Sequence, residues 1–219
     1  MDKCEIVTLS DPTSPAAEAY RALRVNLTYA SLDHALRTLV ISAPAPEDGK
    51  QTWAEVAANL AVVVAQAGQR VILVDADLRH PHLHEFFGVP NEGGLTQAIV
   101  ADQGESVLIS TEVNGLQLLT SGELPPNPTD ILSSQKMDRL IEALQAQADL
   151  VILVAPPVTV AVDAAALGAK ADGLLLATRS GHTRRDRIAQ AKETLERFQV
   201  RLLGAVLMDA PEGKLLASY

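Results

Sequence analysis

Two short stretches hold residues whose types and spacing could handle a phosphorylated ligand. The first is APAPEDGKQT, residues 43–52, in which Asp48, Gly49, Lys50, Gln51 and Thr52 lie between an apolar run and a helix-period segment. At a strand-to-helix loop the backbone N–H groups face an anion, Lys50 would add a point charge and Thr52 a hydroxyl. Of the strict pattern G-x-x-x-x-G-K-[ST] only Gly49 and Lys50 remain, and Gln51 stands where a magnesium-holding hydroxyl belongs. A Gly-Lys pair alone is common in exposed turns; the flanking strand and helix are what raise this one above an ordinary loop with a solvated lysine. The second stretch is VILVDADLRH, residues 71–80, where an apolar run ends in Asp75-x-Asp77. Strand alternation would put both carboxylates on one face at the ligand-binding edge. Two acids so close resist joint ionisation unless a cation is near, and Lys50, Arg79 or Mg²⁺ could supply it. A helix cap or turn is the competing reading for Asp77.

The elements that would position these residues follow from patterning. Nearly continuous Val/Ile/Leu runs at 38–43, 70–77, 115–121, 149–155, 173–179 and 201–208 read as strands buried on both faces. Helix-period segments occupy 15–31, 50–67, 129–146, 163–171 and 183–198, the first capped by Ser14 with Pro15 at its first position. This alternation predicts an α/β fold, a doubly wound and mostly parallel sheet with helices on both faces and right-handed crossovers. Ligands then sit beyond the carboxyl ends of the strands. No repeat or linker divides residues 1–219, so one domain is expected, with a proline-rich loop at 123–128 and a flexible tail at 211–219.

Composition narrows the function classes. A net charge of −9 disfavours nucleic acid as a partner. Cys4 is the single cysteine, so no disulfide framework exists. The N-terminal residues show no apolar signal region, and no apolar run approaches the ~20 residues of a membrane helix, so a cytoplasmic location is expected.

Residues 14–210 resemble the cytoplasmic kinase domain of the bacterial tyrosine kinases (BY-kinases) of capsule and exopolysaccharide assembly, relatives of septum-site and partition ATPases. The resemblance rests on SPAAEAYRALRVNL (14–27), the loop at 44–52, VDADLRHPHLHEFFG (74–88), PPNPTDILSS (125–134), VILVAPP (151–157), ADGLLLATRSGHTRR (171–185) and LLGAVLM (202–208). It implies the P-loop fold and binding of ATP or ADP with Mg²⁺. Gly49, Lys50 and Thr52 would contact phosphates, with Asp48, Gln51, Arg79 and Met208 also at the nucleotide. Asp75 would accept the proton of a substrate tyrosine beside Lys50, and Asp77 would touch the metal. Glu18, Arg21 and Arg24 look like the family's ring-forming Glu-x-x-Arg-x-x-Arg motif, against the plainer reading of an exposed intrachain pair. The implied partners are further copies of the chain and a membrane-embedded adaptor that sets polysaccharide chain length. Tyr219 is the tail's one candidate phosphoacceptor, where active members carry a tyrosine cluster.

The departures from the family pattern fall on chemistry. Gln51 is a bulky, poor partner for Mg²⁺, which demands octahedral oxygen geometry. Glu47 replaces a small residue and brings negative charge toward the phosphates. Val154 takes the place of the third motif's aspartate; Asp149 is five residues back at the wrong end of its strand, and Asp163 starts the next helix. Met208 replaces an adenine-contacting asparagine, and Ala45 stands where partition ATPases carry an extra lysine. Together these imply a catalytically weak or dead domain that acts as a binding or regulatory module. An active tyrosine kinase is the rival, and a positioning ATPase is disfavoured. His80, His82 and His84 read as a solvated turn rather than a metal site, and HTRRDR (182–187) as a solvated helix start, with an acidic partner the lesser reading. Trp53 reads as a packing residue.

Overall fold

The computed structural model describes residues 5–30, 35–46, 52–101 and 107–210. In chain order these form α1 (Val7–Ser10), α2 (Pro15–Ala30), β1 (Thr38–Ser42), α3 (Thr52–Gln66), β2 (Val71–Asp75), α4 (Leu83–Phe87), α5 (Leu95–Ala101) and β3 (Ile109–Ser110). There follow β4 (Leu116–Leu119), α6 (Pro128–Ser133), α7 (Gln135–Gln147), β5 (Leu150–Val154), α8 (Asp163–Gly168), β6 (Gly173–Arg179), α9 (Arg185–Arg197) and β7 (Leu202–Met208).

The strands form one sheet in the order β3-β4-β2-β5-β1-β6-β7, parallel throughout except for β3 on β4. Alternate side chains feed two cores. Leu39, Ile41, Leu73, Ile152 and Val154 pack toward α2 and α3. Val40, Ile72, Val74, Val151 and Leu153 pack toward the layer that contains α5, α7, α8 and α9. α3 is apolar almost all round because it is sandwiched between the sheet and α2, and from Thr52 to Ala65 only Glu55 is not buried. Its one buried amide, Asn59, accepts from the backbone N–H and hydroxyl of Thr8, both at 3.0 Å, and so pins α1 onto α3.

Ser14 caps α2, accepting from the Ala17 N–H at 3.2 Å, with Pro15 as the first helical residue. The opposite edge of the sheet is tied by charge. Asp172 accepts from the backbone of Arg37 and Thr38, and Arg70 pairs with Asp149 at 2.7 Å. Asp149 therefore works at the amino ends of the strands, far from any ligand edge.

Several boundaries differ from the sequence expectation. The segment expected as one helix over 129–146 is two, because Ser134 turns extended and caps α7 by accepting from the Met137 N–H. β2 stops at Asp75, so Asp77 belongs to the following loop, and strand alternation is not what brings the two acids together. The helix expected to reach 171 ends at Gly168. α1, α4, α5 and β3 were not anticipated; each is seven residues or shorter. Among the described residues no helix is long and apolar enough to cross a membrane.

Candidate functional site

The carboxyl ends of β1, β5 and β2 lie side by side. Val154 is in register with Ile41 on one side and with Asp75 on the other. The chain is tied across this edge by Ala76 N–H to the Val154 carbonyl at 2.9 Å and by Ala155 N–H to Ile41 at 3.0 Å. The Ser42 hydroxyl donates to the Pro156 carbonyl at 2.7 Å. The loop after β1 leads from here into α3, whose first residue, Thr52, is buried. Glu47, Asp48, Gly49, Lys50 and Gln51 lie outside the described residues, as does Tyr219.

Asp75 and Asp77 are both nearly sealed from solvent, at 1% and 2% exposure. Asp75 accepts three backbone N–H groups, from Asp77 at 3.3 Å and from His82 and Leu83 at 2.9 Å each. Asp77 Oδ1 accepts from Arg79 and His80 at 3.2 and 2.9 Å, while its buried Oδ2 has no partner. The HPHL turn therefore acts through its backbone, folding around the acids. Burial pushes the Asp75 carboxyl up to about 7, against the backbone N–H bonds, with the nearby Asp77 carboxylate adding to the rise. Burial also raises Asp77, opposed by the N–H groups of His80 and Arg79.

Arg79 does not face the acid pair. Its Nε donates to Asp163 at 2.8 Å, and its Nη2 donates to the Thr129 hydroxyl at 3.1 Å and to Asp163 at 3.4 Å. Thr129 in turn donates to Asp163 at 2.6 Å. Asp163 opens α8 as expected, but it is fully buried, and this ion pair joins the loop after β2 to α6 and α8. The expected role of Arg79 at the nucleotide thus meets a guanidinium already engaged elsewhere. Sequence reasoning missed the Arg79–Asp163–Thr129 cluster. The available signal was a threonine and an acid in the first turns of the helices that follow β4 and β5.

Magnesium, implied by the resemblance, can be tested against these side chains. Asp77 Oδ2 is a buried, unpartnered oxygen of the right chemistry. Asp75 has both oxygens engaged by N–H groups, and Val154, at 1% exposure, offers only methyl groups. Among the described residues no group of three or more acidic, His or Cys side chains could hold a metal. One carboxylate with ligand phosphates and waters is a fit that Mg²⁺ tolerates.

Met208 closes β7, and the Tyr20 hydroxyl donates to its sulfur at 3.5 Å. The two line a cavity of about 400 Å³ with Val7, Pro15, Glu55 and Asp209. Burial and the nearby Glu55 and Asp209 carboxylates push the Tyr20 phenol upward, so it stays protonated. Asp209 is ion-paired to Arg179 at 2.5 Å. On α2, Arg21 pairs within the chain with Glu18 at 2.9 Å, and Arg24 is half-buried. Trp53 packs in the core on the first turn of α3.

A mostly parallel seven-stranded sheet, with an acid pair beside a loop that enters a buried helix, defines a domain of the P-loop NTPase type. The comparisons narrow this. Tyrosine-protein kinase YwqD of Bacillus subtilis (strain 168) is 39% identical over 215 residues, 98% of this chain and 88% of that protein. Tyrosine-protein kinase etk of Escherichia coli (strain K12) is 34% identical over 202 residues, 92% of this chain but 27% of etk. The solved kinase domain of E. coli ETK superposes with a TM-score of 0.86 at 32% identity, covering 98% of this chain and 84% of that one. The chimerical protein CapA2B2 gives 0.86 at 34%, covering 92% and 88%. No family model matches the chain. The chain belongs to the bacterial tyrosine kinase (BY-kinase) family. It spans most of YwqD and about a quarter of etk.

Proposed function

We propose that this domain binds ATP or ADP at the shared edge of β1, β5 and β2 and has lost most of its capacity for phosphoryl transfer. It would serve as a ring-forming binding or regulatory module in capsule or exopolysaccharide assembly, working with a membrane-embedded chain-length adaptor. That setting comes from the family resemblance. The loss of chemistry is carried by one observation. Val154, in register with Asp75, places an aliphatic side chain where the family's metal-side carboxylate belongs. Gln51 removes the loop hydroxyl as well.

The remaining groups have definable tasks. Gly49, Lys50 and Thr52 would hold the phosphates, and the cavity at Met208 would admit the base. Asp77 Oδ2, the one buried carboxylate oxygen without a partner among the described residues, would hold Mg²⁺ only weakly. When bound, the metal neutralises charge that develops on the transferred phosphoryl group. Asp75, poised near neutral pH, is suited to accept a phenolic proton.

That poise, with the free oxygen of Asp77, favours a second reading, an active tyrosine kinase. Calorimetry separates the two. ADP and ATP should bind weakly, with affinity nearly unchanged by Mg²⁺. Gln51→Ser with Val154→Asp should restore magnesium-dependent ATP binding more than either change alone, since both groups would hold one ion. A tenfold or larger gain with Mg²⁺ in the parent, ~1.4 kcal/mol, would overturn the weak-binding prediction.

A further inference from the structure

The cavity of about 400 Å³ between α2 and the end of β7 is apolar on most sides, with Val7, Leu23 and Val206 among its walls. Its volume is that of a small-molecule site. The charged side chains that line it are two carboxylates, Glu55 and Asp209; among the described residues no basic or amide side chain joins them. The Tyr20 hydroxyl is the lining's side-chain donor, and it is spent on the Met208 sulfur, a weak acceptor. Burial, and then the Glu55 and Asp209 carboxylates, raise the Tyr20 phenol, so it remains a donor.

The backbone sets both acids in place. Glu55 stands in the first turn of α3, so the cavity adjoins the helix whose amino end would hold phosphates. Asp209 leaves β7 in the left-handed region, φ 53°, which aspartate and asparagine tolerate better than other side chains. Arg179 Nε donates to its Oδ2 at 2.5 Å and holds the carboxylate at the rim, where 56% of the side chain still meets solvent. A ligand in the cavity can therefore reach it.

We propose that this cavity selects guanine over adenine. An ionised carboxylate only accepts hydrogen bonds. Guanine presents a ring N–H and an amino group side by side, which one carboxylate takes as a fork of charge-assisted bonds. Adenine presents an amino group beside a ring-nitrogen lone pair, and that lone pair opposes the second carboxylate oxygen. The guanine carbonyl next to those donors takes the Tyr20 hydroxyl in place of the Met208 sulfur. The inference rests on the reading of this cavity as the base side of the nucleotide site. It makes the base a second cause, beside the metal, of weak binding by ADP and ATP.

The test is calorimetry on the full chain, in EDTA, with GDP, IDP and ADP. Saturation-transfer NMR with guanosine and adenosine probes the cavity without phosphates. GDP should bind roughly tenfold tighter than ADP or better, because a site built around hydrogen bonds rejects the analogue that lacks them. IDP keeps the ring N–H and lacks the amino group, so it should fall between the two. Asp209→Asn suits the left-handed backbone and turns part of the acceptor into a donor, so it should bring GDP down to the affinity of ADP. Circular dichroism and thermal unfolding confirm that the variant folds. ADP binding as tight as GDP, or a GDP preference that survives Asp209→Asn, would overturn the proposal. Guanosine preferred over adenosine, with no gain from the diphosphates, removes the phosphate assignment alone. Diphosphates that bind tighter than the nucleosides but without base preference remove this inference alone. A chain that binds none of these ligands removes both.

Discussion

Asp75 illustrates a residue whose environment works against its charge. Three N–H bonds favour the carboxylate, yet burial raises its pKa to about 7. Unfolded, it would titrate at about 3.9. Folding therefore takes up a proton between those values. This stability is full below about pH 4 and is lost as pH rises through 7. In EDTA, Asp75→Asn should gain stability over the parent between pH 5 and pH 8, by on the order of 3 kcal/mol at most. A difference that stays constant with pH would show that Asp75 is not the group responsible. At Arg79 and Asp163 the two truncations should be unequal. Arg79→Ala strands a fully buried carboxylate, while Asp163→Asn leaves a guanidinium that reaches solvent. Urea unfolding should show about 3 kcal/mol lost for Arg79→Ala and clearly less for Asp163→Asn; equal losses would contradict this ordering. Asp75 was legible in the sequence because it ends an apolar strand, whereas the placement of Asp77 was not, because it lies in the loop beyond. The Arg79 pair was not, because 84 residues separate the partners and only the sheet topology joins them.

At the scale of elements, the long buried strands were legible because continuous Val, Ile and Leu runs have few alternatives. β3, two residues on an antiparallel edge, has no such run. The break between α6 and α7 was hidden because helical periodicity passes through Ser134 without glycine or proline. α2 was legible from its cap. Within the chain, Glu18 and Arg21 satisfy each other on an exposed face, a pair worth a few tenths of a kcal/mol. If the same residues pair across subunits, Arg21→Ala with Arg24→Ala should give smaller species by light scattering than the parent. A monomeric parent at high concentration, or equal assembly by the variant, would rule the interface out.

At the scale of the whole molecule, the proposed loss of transfer would leave the fold untouched. The sheet order, the buried α3 and the cradled acids keep the architecture of a nucleotide-binding kinase domain. On the proposed reading, the departures that weigh most on transfer are Val154 at the strand end and Gln51 in the loop sequence, alongside Glu47 and Met208. Such changes leave folding intact, because Val154 packs into the core as an ordinary aliphatic residue. The direct measurement is transfer of phosphate from ATP to tyrosine. The chain is incubated with ATP and Mg²⁺, with a tyrosine-glutamate copolymer as a second acceptor, and phosphotyrosine is read by mass spectrometry and antibody. The account predicts no phosphotyrosine on the chain or the copolymer; robust, magnesium-dependent phosphorylation of either by the unmodified protein would contradict it.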